Sequence, residues 1–170
     1  MIGIESQPEI EKKIKTLEEV VPIVEKLKAE GKVVVTNNGS YDVIHIGHVI
    51  SLFEAKKAGD VLVVAINSDK SVKAYKGPKR PLNSEDMRMR MLAALSCVDF
   101  VFTFDETVPM PYLEKLKPNV HTNGAEYTED CIERETVERN GGKIHLLPMV
   151  EGIKSTMLIE KIVDAYGKNN

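Results

Sequence analysis

The stretch "KVVVTNNGSYDVIHIGHVI", residues 32–50, contains the pattern that decides the fold. Its first part is a short run of β-branched residues, which is typical of a strand buried in a parallel sheet. Gly39 permits a tight turn after that strand, and Gly47 allows close approach of backbone or ligand where a helix is predicted to begin. His45 and His48 flank Gly47, so a strand, a glycine turn and a helix start bring two imidazoles together.

The same alternation of strand and helix patterns continues along the chain. Further strand-like runs begin at Val61, Asp99, Asn119 and Lys143. Helical period or composition is found between and after them, in residues 50–59, 84–96, 111–117, 129–142 and 155–167. This order predicts an α/β fold: a single doubly wound, Rossmann-like sheet of five parallel strands with helices on both faces.

A helical lead-in is predicted before the first strand. Apolar residues recur at helical spacing from Ile10 to Leu27, Thr16 and Glu19 have the spacing of a capping box, and Pro22 is predicted to separate two helices. The predicted organisation is a helical extension over residues 1–31, packed on a single α/β domain over residues 32–170.

Composition excludes several classes of protein. The 170 residues are 42% hydrophobic and 29% charged, as in ordinary globular domains, and the net charge of −3 argues against a broad nucleic-acid interface. No apolar run reaches the ~20 residues that cross a bilayer, and the first residues lack a signal-peptide pattern. Cys97 and Cys131 have no metal-ligand spacing. A cytoplasmic protein without nucleic-acid or membrane partners is therefore expected.

The loop at residues 38–48 has the position and chemistry of a phosphate site. Ligands of doubly wound sheets bind beyond the carboxyl ends of the strands, and a helix N-terminus offers free N–H groups and a positive dipole end to a phosphate. His45 and His48 project near the same point. Asp42 has three interpretations: it holds the loop, takes part in metal-linked phosphate contacts, or forms a local Asx turn.

Several motifs in this order resemble the HxGH nucleotidyltransferases. They are "NGSYDVIHIGH", "AINSDKSVKAYKGPKRPLN", "EDMRMRMLAAL", "NGAEY" and "VEGIKSTMLI", and the resemblance covers about residues 16–166. Within that family the chain is most similar to the heptose 1-phosphate adenylyltransferases. The resemblance implies Mg²⁺-dependent transfer of AMP from ATP to a sugar or polyol phosphate. A CTP-dependent glycerol 3-phosphate cytidylyltransferase and a nucleotide-binding regulatory protein without turnover are the alternatives.

The resemblance also implies roles for particular residues. His45, His48 and Lys76 are the implied catalytic residues, and Mg²⁺ is expected to be held mainly by the triphosphate rather than by side chains. The basic segment at residues 71–80 is predicted to be a loop that folds over the triphosphate, with the roles of Lys79 and Arg80 left open. The implied nucleotide-binding residues are Asn38, Gly39, Ser40, Tyr41, Asp42, Gly47, Arg88, Asn123, Gly124, Glu126, Lys154, Ser155 and Thr156.

The sequence departs from the family pattern at a few of these positions. Lys154 stands where a serine is usual, which either adds a cation to the triphosphate site or indicates a different substrate or weakened activity. Ser40 and Tyr41 replace a common Cys-Phe pair, and Glu126 replaces an aspartate. A homodimer is expected because the family commonly forms dimers and the lead-in carries more apolar positions than one helix face needs.

Overall fold

The computed structural model describes residues 7–124, 131–148, 150 and 152–167. These residues form an α/β fold in which every strand pairing is parallel. The elements are α1 (Pro8–Glu11), α2 (Leu17–Ala29), β1 (Val34–Gly39), α3 (Ile46–Lys56), β2 (Val61–Asn67), α4 (Asp69–Lys76), α5 (Glu85–Ala93), β3 (Phe100–Phe104), α6 (Met110–Leu116), β4 (Val120–Gly124), α7 (Arg134–Arg139), β5 (Lys143–Leu147) and α8 (Ser155–Tyr166).

The sheet has the strand order β3-β2-β1-β4-β5. The chain winds outward from β1 to β3 and then crosses back to β4 on the other side of β1, so the winding reverses between β1 and β4. Asn37 lies opposite Thr122 across that junction. Ligands of open α/β sheets bind in the crevice at such a reversal. The predicted doubly wound five-stranded parallel sheet is therefore confirmed, and its switch point lies at the end of the strand that precedes the two histidines.

Alternate residues of the central strands fill two separate cores. Val35, Leu62 and Val64 pack on one face with Leu52 of α3 and Leu92 of α5. The opposite face packs against α2, α6 and α7, through residues that include Val20, Val24, Val34, Val63, Leu113, Leu116 and Val137. Burial on both faces explains why the central strands read as continuous apolar runs. The predicted helices on both faces are thereby confirmed.

The lead-in differs from the prediction at Pro22. The capping box at Thr16 is present, but Pro22 lies inside α2 and does not end it. A proline in this position removes one helical hydrogen bond, and the packing of Val20 and Val24 into the core keeps the helix continuous. The break lies earlier, before Thr16, where Ile14 forms a parallel bridge with Val101 of β3.

The basic segment that was predicted to be a loop is helical over most of its length. Asp69–Lys76 forms α4, so the true loop begins only at Gly77, whose φ of +90° ends the helix. The Ser68 hydroxyl accepts from the Ser71 N–H at 3.2 Å and caps the helix. Only the end of the segment therefore has the freedom of a loop. No helix within the described ranges is long and apolar enough to span a bilayer.

Candidate active site

The loop after β1 is held by a buried tyrosine with an uncommon backbone conformation. Tyr41 has a φ of +48°, in the left-handed region that residues other than glycine rarely adopt. Its ring lies against Gly39, where an added Cβ would be 3.2 Å from the nearest ring atom. The Tyr41 hydroxyl donates to the side-chain oxygen of Asn37, and the Asn37 amide donates to the Thr122 hydroxyl at 2.9 Å. This hydrogen-bond chain ties the loop to both β1 and β4.

His45 and His48 stack on each other where α3 begins. Their ring centroids are 3.8 Å apart and their planes differ by 22°. The Tyr41 ring also contacts His48, with 5.2 Å between centroids. The backbone N–H of His45 donates to Nδ1 of His48 at 3.3 Å. A nitrogen that accepts a hydrogen bond carries no proton, so the neutral His48 ring has its proton on Nε2 and donates from there.

Both histidines are held in the neutral form by their surroundings. The pKa of His48 is lowered to about 4, chiefly by burial, with the nearby His45 and Lys76 acting in the same direction. Burial also lowers the pKa of His45. Nδ1 of His45 is buried and has no hydrogen-bond partner among the residues that the structure describes. Because buried polar atoms are normally paired, this nitrogen marks a position for a ligand group.

Gly47 allows the first turn of α3 to approach the segment before α8. A Cβ at Gly47 would lie 3.0 Å from two ring atoms of His45 and 3.8 Å from the carbonyl oxygen of Ile153. The stacked histidines therefore leave no room for a larger residue. The free N–H groups at the start of α3 point into the same region, as a phosphate site requires.

Asp42 joins the histidine loop to the loop that follows α4. Its Oδ1 accepts from the backbone N–H groups of Leu82 at 2.7 Å and Asn83 at 2.9 Å, and its Oδ2 pairs with Nε of Arg80. Burial raises the pKa of Asp42, but the hydrogen bonds from Asn83, Arg80 and Leu82 outweigh burial and leave the pKa below 3.8. Among its three interpretations, the structure favours the one in which Asp42 holds the loop.

Lys76, at the end of α4, reaches the histidine loop directly. Its Nζ donates to the Ser40 hydroxyl oxygen at 2.8 Å. Burial is the largest cause that lowers the pKa of Lys76, and the cations Arg80 and Arg88 add to it against the opposing effect of Asp42. Because Arg80 and Arg88 are paired with Asp42 and Asp69, the surplus positive charge of this group is that of Lys76, which a polyanion would neutralise. Arg80 thus belongs to the site region, while Lys79 is exposed.

Arg88, which was predicted to bind the nucleotide, is bonded to the protein itself. Its side chain is completely buried, and its guanidinium donates to the backbone oxygens of Ser40 at 2.6 Å, Asn67 at 2.8 Å and Asn83 at 3.1 Å. The fourth bond, at 2.8 Å, goes to the Asp69 carboxylate. Four of the five guanidinium N–H groups are thus engaged by the fold. Arg88 therefore supports the histidine loop through its bond to the backbone of Ser40.

The end of β4 lies next to the end of β1, as the switch point requires. Asn123 donates from Nδ2 to the buried carboxylate of Glu133 at 3.2 Å, and Gly124 is the last residue of β4. Oδ1 of Asn38, on the adjoining end of β1, is buried without a partner in the described part of the chain. Asn38, Asn123 and Gly124 are thus brought together near the histidine loop. Glu126 lies outside the described residues.

The start of α8 is anchored to the histidine loop. Ser155 donates its hydroxyl proton to the backbone oxygen of Val43 at 3.2 Å, which differs from the predicted phosphate contact through that hydroxyl. Lys154 is the N-cap residue, is exposed and makes no side-chain capping bond. Thr156 is exposed in the first turn. Backbone N–H groups of this turn, Lys154 and Thr156 therefore remain as groups that can meet an anion.

Three residues that shape the site were not identified from the sequence. Asn37 is buried in β1 shortly after the apolar run that starts the strand, and a polar residue in a buried strand is a usable signal. Asn83 anchors on Asp42 through both its backbone and its side chain, and only the loop geometry reveals this. Glu133 is buried beside Asn123, and nothing in the sequence distinguishes it from neighbouring surface acids.

The described residues contain no cluster of His, Cys, Asp or Glu side chains suited to a metal ion. The nearest carboxylate to the histidine loop, Asp42, has both oxygens occupied by Arg80 and backbone N–H groups. Protein side chains of these ranges therefore offer no ready ligand set for a divalent cation.

Comparison with known proteins agrees with this geometry. A family model described as "Cytidylyltransferase-like" matches residues 36–161, which include the histidine loop, Lys76, Arg88 and the start of α8. The chain belongs to the cytidylyltransferase-like family and is a nucleotidyltransferase by that membership. The predicted family and enzyme class are confirmed.

Curated relatives narrow the resemblance. The chain is 46% identical over 157 residues to the "Bifunctional protein HldE" of Geobacter metallireducens. The matched region is 92% of this chain and 32% of the relative. It is 42% identical over 156 residues to the protein of the same name from Campylobacter jejuni, again covering 92% of this chain and 32% of the relative. The chain thus spans about a third of the length of these relatives.

Solved structures share the fold. A lipopolysaccharide core biosynthesis protein from Thermoplasma volcanium is 27% identical, with a TM-score of 0.58, covering 72% of this chain and 99% of that one. A pantoate-beta-alanine ligase from Francisella tularensis, complexed with beta-gamma ATP and beta-alanine, has a TM-score of 0.60 at 17% identity and covers 92% and 79% of the two chains. The latter likeness is one of fold.

Removal of the Tyr41 hydroxyl tests the buried hydrogen bonds that connect the histidine loop to β4 through Asn37. Tyr41→Phe leaves the Asn37 side-chain oxygen buried without its donor, so we expect the free energy of unfolding to fall by about 1–3 kcal/mol. Urea unfolding monitored by circular dichroism measures the change. Tyr166→Phe, at a tyrosine that is 82% exposed, is the control and should shift it by less than about 0.5 kcal/mol. Equal urea unfolding midpoints for Tyr41→Phe and wild type would show that the hydrogen bonds from Tyr41 to Asn37 and from Asn37 to Thr122 do not stabilise the fold.

The protonation of His48 is directly measurable. With its pKa lowered to about 4, His48 is neutral at every pH well above that value and takes up a proton only as the pH falls toward 4. Imidazole ¹⁵N NMR of the free protein should show a neutral ring protonated on Nε2 at pH 6, with the titration centred near 4. A midpoint near 6.5, the ordinary value for histidine, would show that the ring is not shielded as the structure implies.

Proposed function

We propose that this chain transfers AMP from ATP to the phosphate of a sugar 1-phosphate of the heptose type, with release of pyrophosphate. The observation that carries the proposal is the pair of stacked, neutral histidines at the N-terminus of α3, placed at the switch point beside Lys76 and the start of α8. These groups are hydrogen-bond donors and positive dipole ends directed at one region, which suits a triphosphate.

The reaction needs positioning and charge stabilisation rather than a covalent enzyme intermediate. An oxygen of the acceptor phosphate forms a bond to the α-phosphorus of ATP. The bond between that phosphorus and the oxygen bridging to the β-phosphorus breaks, and pyrophosphate leaves with the electron pair. Charge on the oxygens of the α-phosphate is stabilised by fixed donors, of which Nε2–H of His48 is one.

The charged groups divide the remaining work. Lys76 at the end of α4 contacts the histidine loop, Lys154 stands at the start of α8, which is bonded to the same loop, and both can neutralise the triphosphate. Because histidine is neutral here, the site gains donors without adding repulsion between cations. Mg²⁺ is part of the proposal and would be held by triphosphate oxygens, consistent with an Asp42 carboxylate whose oxygens are already occupied.

The acceptor class rests on similarity. The family model is named for cytidylyltransferases, while the curated relatives at 42–46% identity are named HldE and one solved relative is named for lipopolysaccharide core biosynthesis. The relatives favour a sugar phosphate over glycerol phosphate. Because the family is named for cytidylyltransferases, a CTP-dependent transfer to glycerol 3-phosphate is the first alternative. Because Lys154 departs from the family pattern, a nucleotide-binding protein without turnover is the second.

Pyrophosphate release separates these three functions. The protein is mixed with ATP or CTP, each with heptose 1-phosphate or glycerol 3-phosphate, in the presence of Mg²⁺. The proposal expects release with ATP and the heptose phosphate. Release with CTP and glycerol 3-phosphate would replace the proposal by the alternative, and nucleotide binding without any release would indicate the regulatory protein.

Substitution of the histidines tests their role in turnover. We expect His45→Ala and His48→Ala each to reduce pyrophosphate release about a hundredfold or more, as loss of a single oxyanion donor does, with little loss of stability. His145→Ala removes an exposed histidine of β5 and is the matched control. Near-wild-type turnover combined with a lowered melting temperature would show that the two histidines serve the fold.

Lys154 provides a separate test of the triphosphate site. A cation at a helix N-terminus is unfavourable, and serine is a far better N-cap residue, so Lys154→Ser should stabilise the free protein by about 1 kcal/mol. If Lys154 contacts the triphosphate, the same change should weaken ATP binding by about fivefold, an effect near 1 kcal/mol. Calorimetric titration and thermal melts measure both. Lys143→Ser, at the opposite end of the sheet, is the control, and unchanged ATP affinity would remove Lys154 from the site.

A further inference from the structure

A group of buried polar atoms near the junction of β1 and β4 lacks hydrogen-bond partners. Oδ1 of Asn38, Nε2 of His121 and the hydroxyl oxygen of Tyr112 are buried, and none of them has a partner among the residues that the structure describes. Buried polar atoms are normally paired, so an unpaired one points to a group that is missing from the free protein. Three such atoms in one region of the fold indicate a place for a ligand.

The strand register places two of these side chains on the face of the sheet that packs against α6 and α7. Thr36 lies opposite His121, and its hydroxyl contacts Nδ1 of His121 at 2.8 Å. Val34, two residues earlier, packs in the core that includes α6 and α7. Because alternate residues of a strand share a face, Asn38 and Asn123 follow on this face. The pairing of β1 with β4 ends one residue before Asn38 and Asn123.

Two side chains from the helical layer complete this region. Glu133 directly precedes α7 and is buried, and its carboxylate accepts from Nδ2 of Asn123 at 3.2 Å. Burial raises the pKa of Tyr112 most, and Glu133 is the next cause, so the carboxylate lies near the hydroxyl of this α6 residue. The region is called the polar crevice below, and its residues are Asn38, Tyr112, His121, Asn123 and Glu133.

His121 presents an acceptor to the polar crevice. The Thr36 hydroxyl donates to the backbone oxygen of Val120 at 3.4 Å, so its oxygen accepts the proton on Nδ1 of His121. Nε2 of the neutral ring is then left with its lone pair. Burial lowers the pKa of His121 to about 3, with the nearby Asn123 side chain acting in the opposite direction. The ring therefore stays neutral at physiological pH.

The other groups of the polar crevice favour a neutral ligand with hydrogen-bond donors. Oδ1 of Asn38 and the Glu133 carboxylate are acceptors, and the hydrogen bond described for Glu133 comes from a neutral amide. A buried carboxylate is stabilised by further donors and repels a second anion. A hydroxyl group can donate to these oxygens and can also accept from Tyr112. The chemistry suits hydroxyl groups and excludes phosphate.

We propose that the polar crevice binds the hydroxyl groups of a sugar whose phosphate lies at the histidine loop. The inference rests on the proposed function, which supplies two such sugars, the ribose of ATP and the heptose. Acidic residues of dinucleotide-binding sheets accept from ribose hydroxyls in the same way. The site is thus divided by charge, because Lys76 contacts the loop on the phosphate side and Glu133 lies on the hydroxyl side. This division fixes the direction in which a sugar phosphate enters.

Calorimetric titration of Glu133→Gln tests the proposal with inorganic tripolyphosphate, ATP, dideoxy-ATP and heptose 1-phosphate. The substitution keeps the shape of the side chain and removes its charge. The ligand whose hydroxyls enter the polar crevice should bind about tenfold more weakly, as expected for a lost hydrogen bond to a charged group. Tripolyphosphate carries no sugar and should bind equally to both proteins. Glu135→Gln, at a side chain of α7 that is 89% exposed, is the control and should change no affinity.

The ligand that responds identifies the sugar. Weaker binding of ATP, with unchanged binding of dideoxy-ATP, which lacks both ribose hydroxyls, would assign the polar crevice to the ribose. Weaker binding of heptose 1-phosphate alone would assign it to the acceptor. Unchanged affinity for both sugars would overturn the proposal, as would an equal loss for tripolyphosphate, which would show an effect on the fold. Binding needs no turnover, so a response to Glu133→Gln without pyrophosphate release would refute the proposed reaction and leave the polar crevice standing.

Tyr112→Phe separates ligand binding from folding. Because its hydroxyl has no described partner, removal should leave the free energy of unfolding unchanged or raise it. The same change should weaken the ligand that responds to Glu133→Gln by about threefold or more, as loss of one neutral hydrogen bond does. Urea unfolding and calorimetric titration measure the two effects. A loss of stability with unchanged affinity would show that the hydroxyl is bonded within the free protein and would overturn its place in the polar crevice.

Discussion

The carboxyl edge of the sheet depends on one buried guanidinium. Arg88 joins the histidine loop, the end of β2, the start of α4 and the loop before α5 through four hydrogen bonds. A fully buried charge costs several kcal/mol unless each of its donors is paired, so these four segments are restricted to positions that satisfy the guanidinium. The carboxylate of Asp42 also restricts the histidine loop, because it accepts hydrogen bonds from Leu82 and Asn83 in the loop that follows α4. The site is rigid because two buried charges share its supporting loops.

The ion pairs of these two charges suit the loop region to the anion that the proposed function requires. The carboxylates of Asp42 and Asp69 are both engaged by arginines, Arg80 and Arg88, and neither is left to repel a phosphate. Lys76 makes its contact with a neutral hydroxyl, so its charge is not cancelled by a carboxylate of its own. Two helix N-termini add positive ends at the same place. Histidines held neutral by burial then act as donors whose strength does not vary with pH over the physiological range.

The sequence predicts the strands and helices of this molecule better than the buried polar contacts that hold its loops in place. Long apolar runs and glycine positions are local signals, and they gave the five strands, the start of α3 and the placement of the histidines. α4 was missed because its eight residues bury only Ser71 and Val72 and so carry little periodicity. The buried contacts of Arg88 could not be predicted, because residue type shows that a cation is present but not which way it points. Its direction depends on contacts with residues that include Asp69 and Ser40, 19 and 48 positions away. The contacts of Asn83 and Glu133 could not be predicted either, because their partners are also set by tertiary packing.

α8 is the element that the rest of the described chain supports least. No side chain of this helix is buried, and a hydrogen bond from the Ser155 hydroxyl to the backbone oxygen of Val43 joins its start to the histidine loop. In the proposed function the first turn of α8 offers N–H groups and Lys154 to the triphosphate. Because a ligand that binds only one arrangement of a protein stabilises that arrangement, a bound triphosphate should favour the position in which the start of α8 lies against the histidine loop.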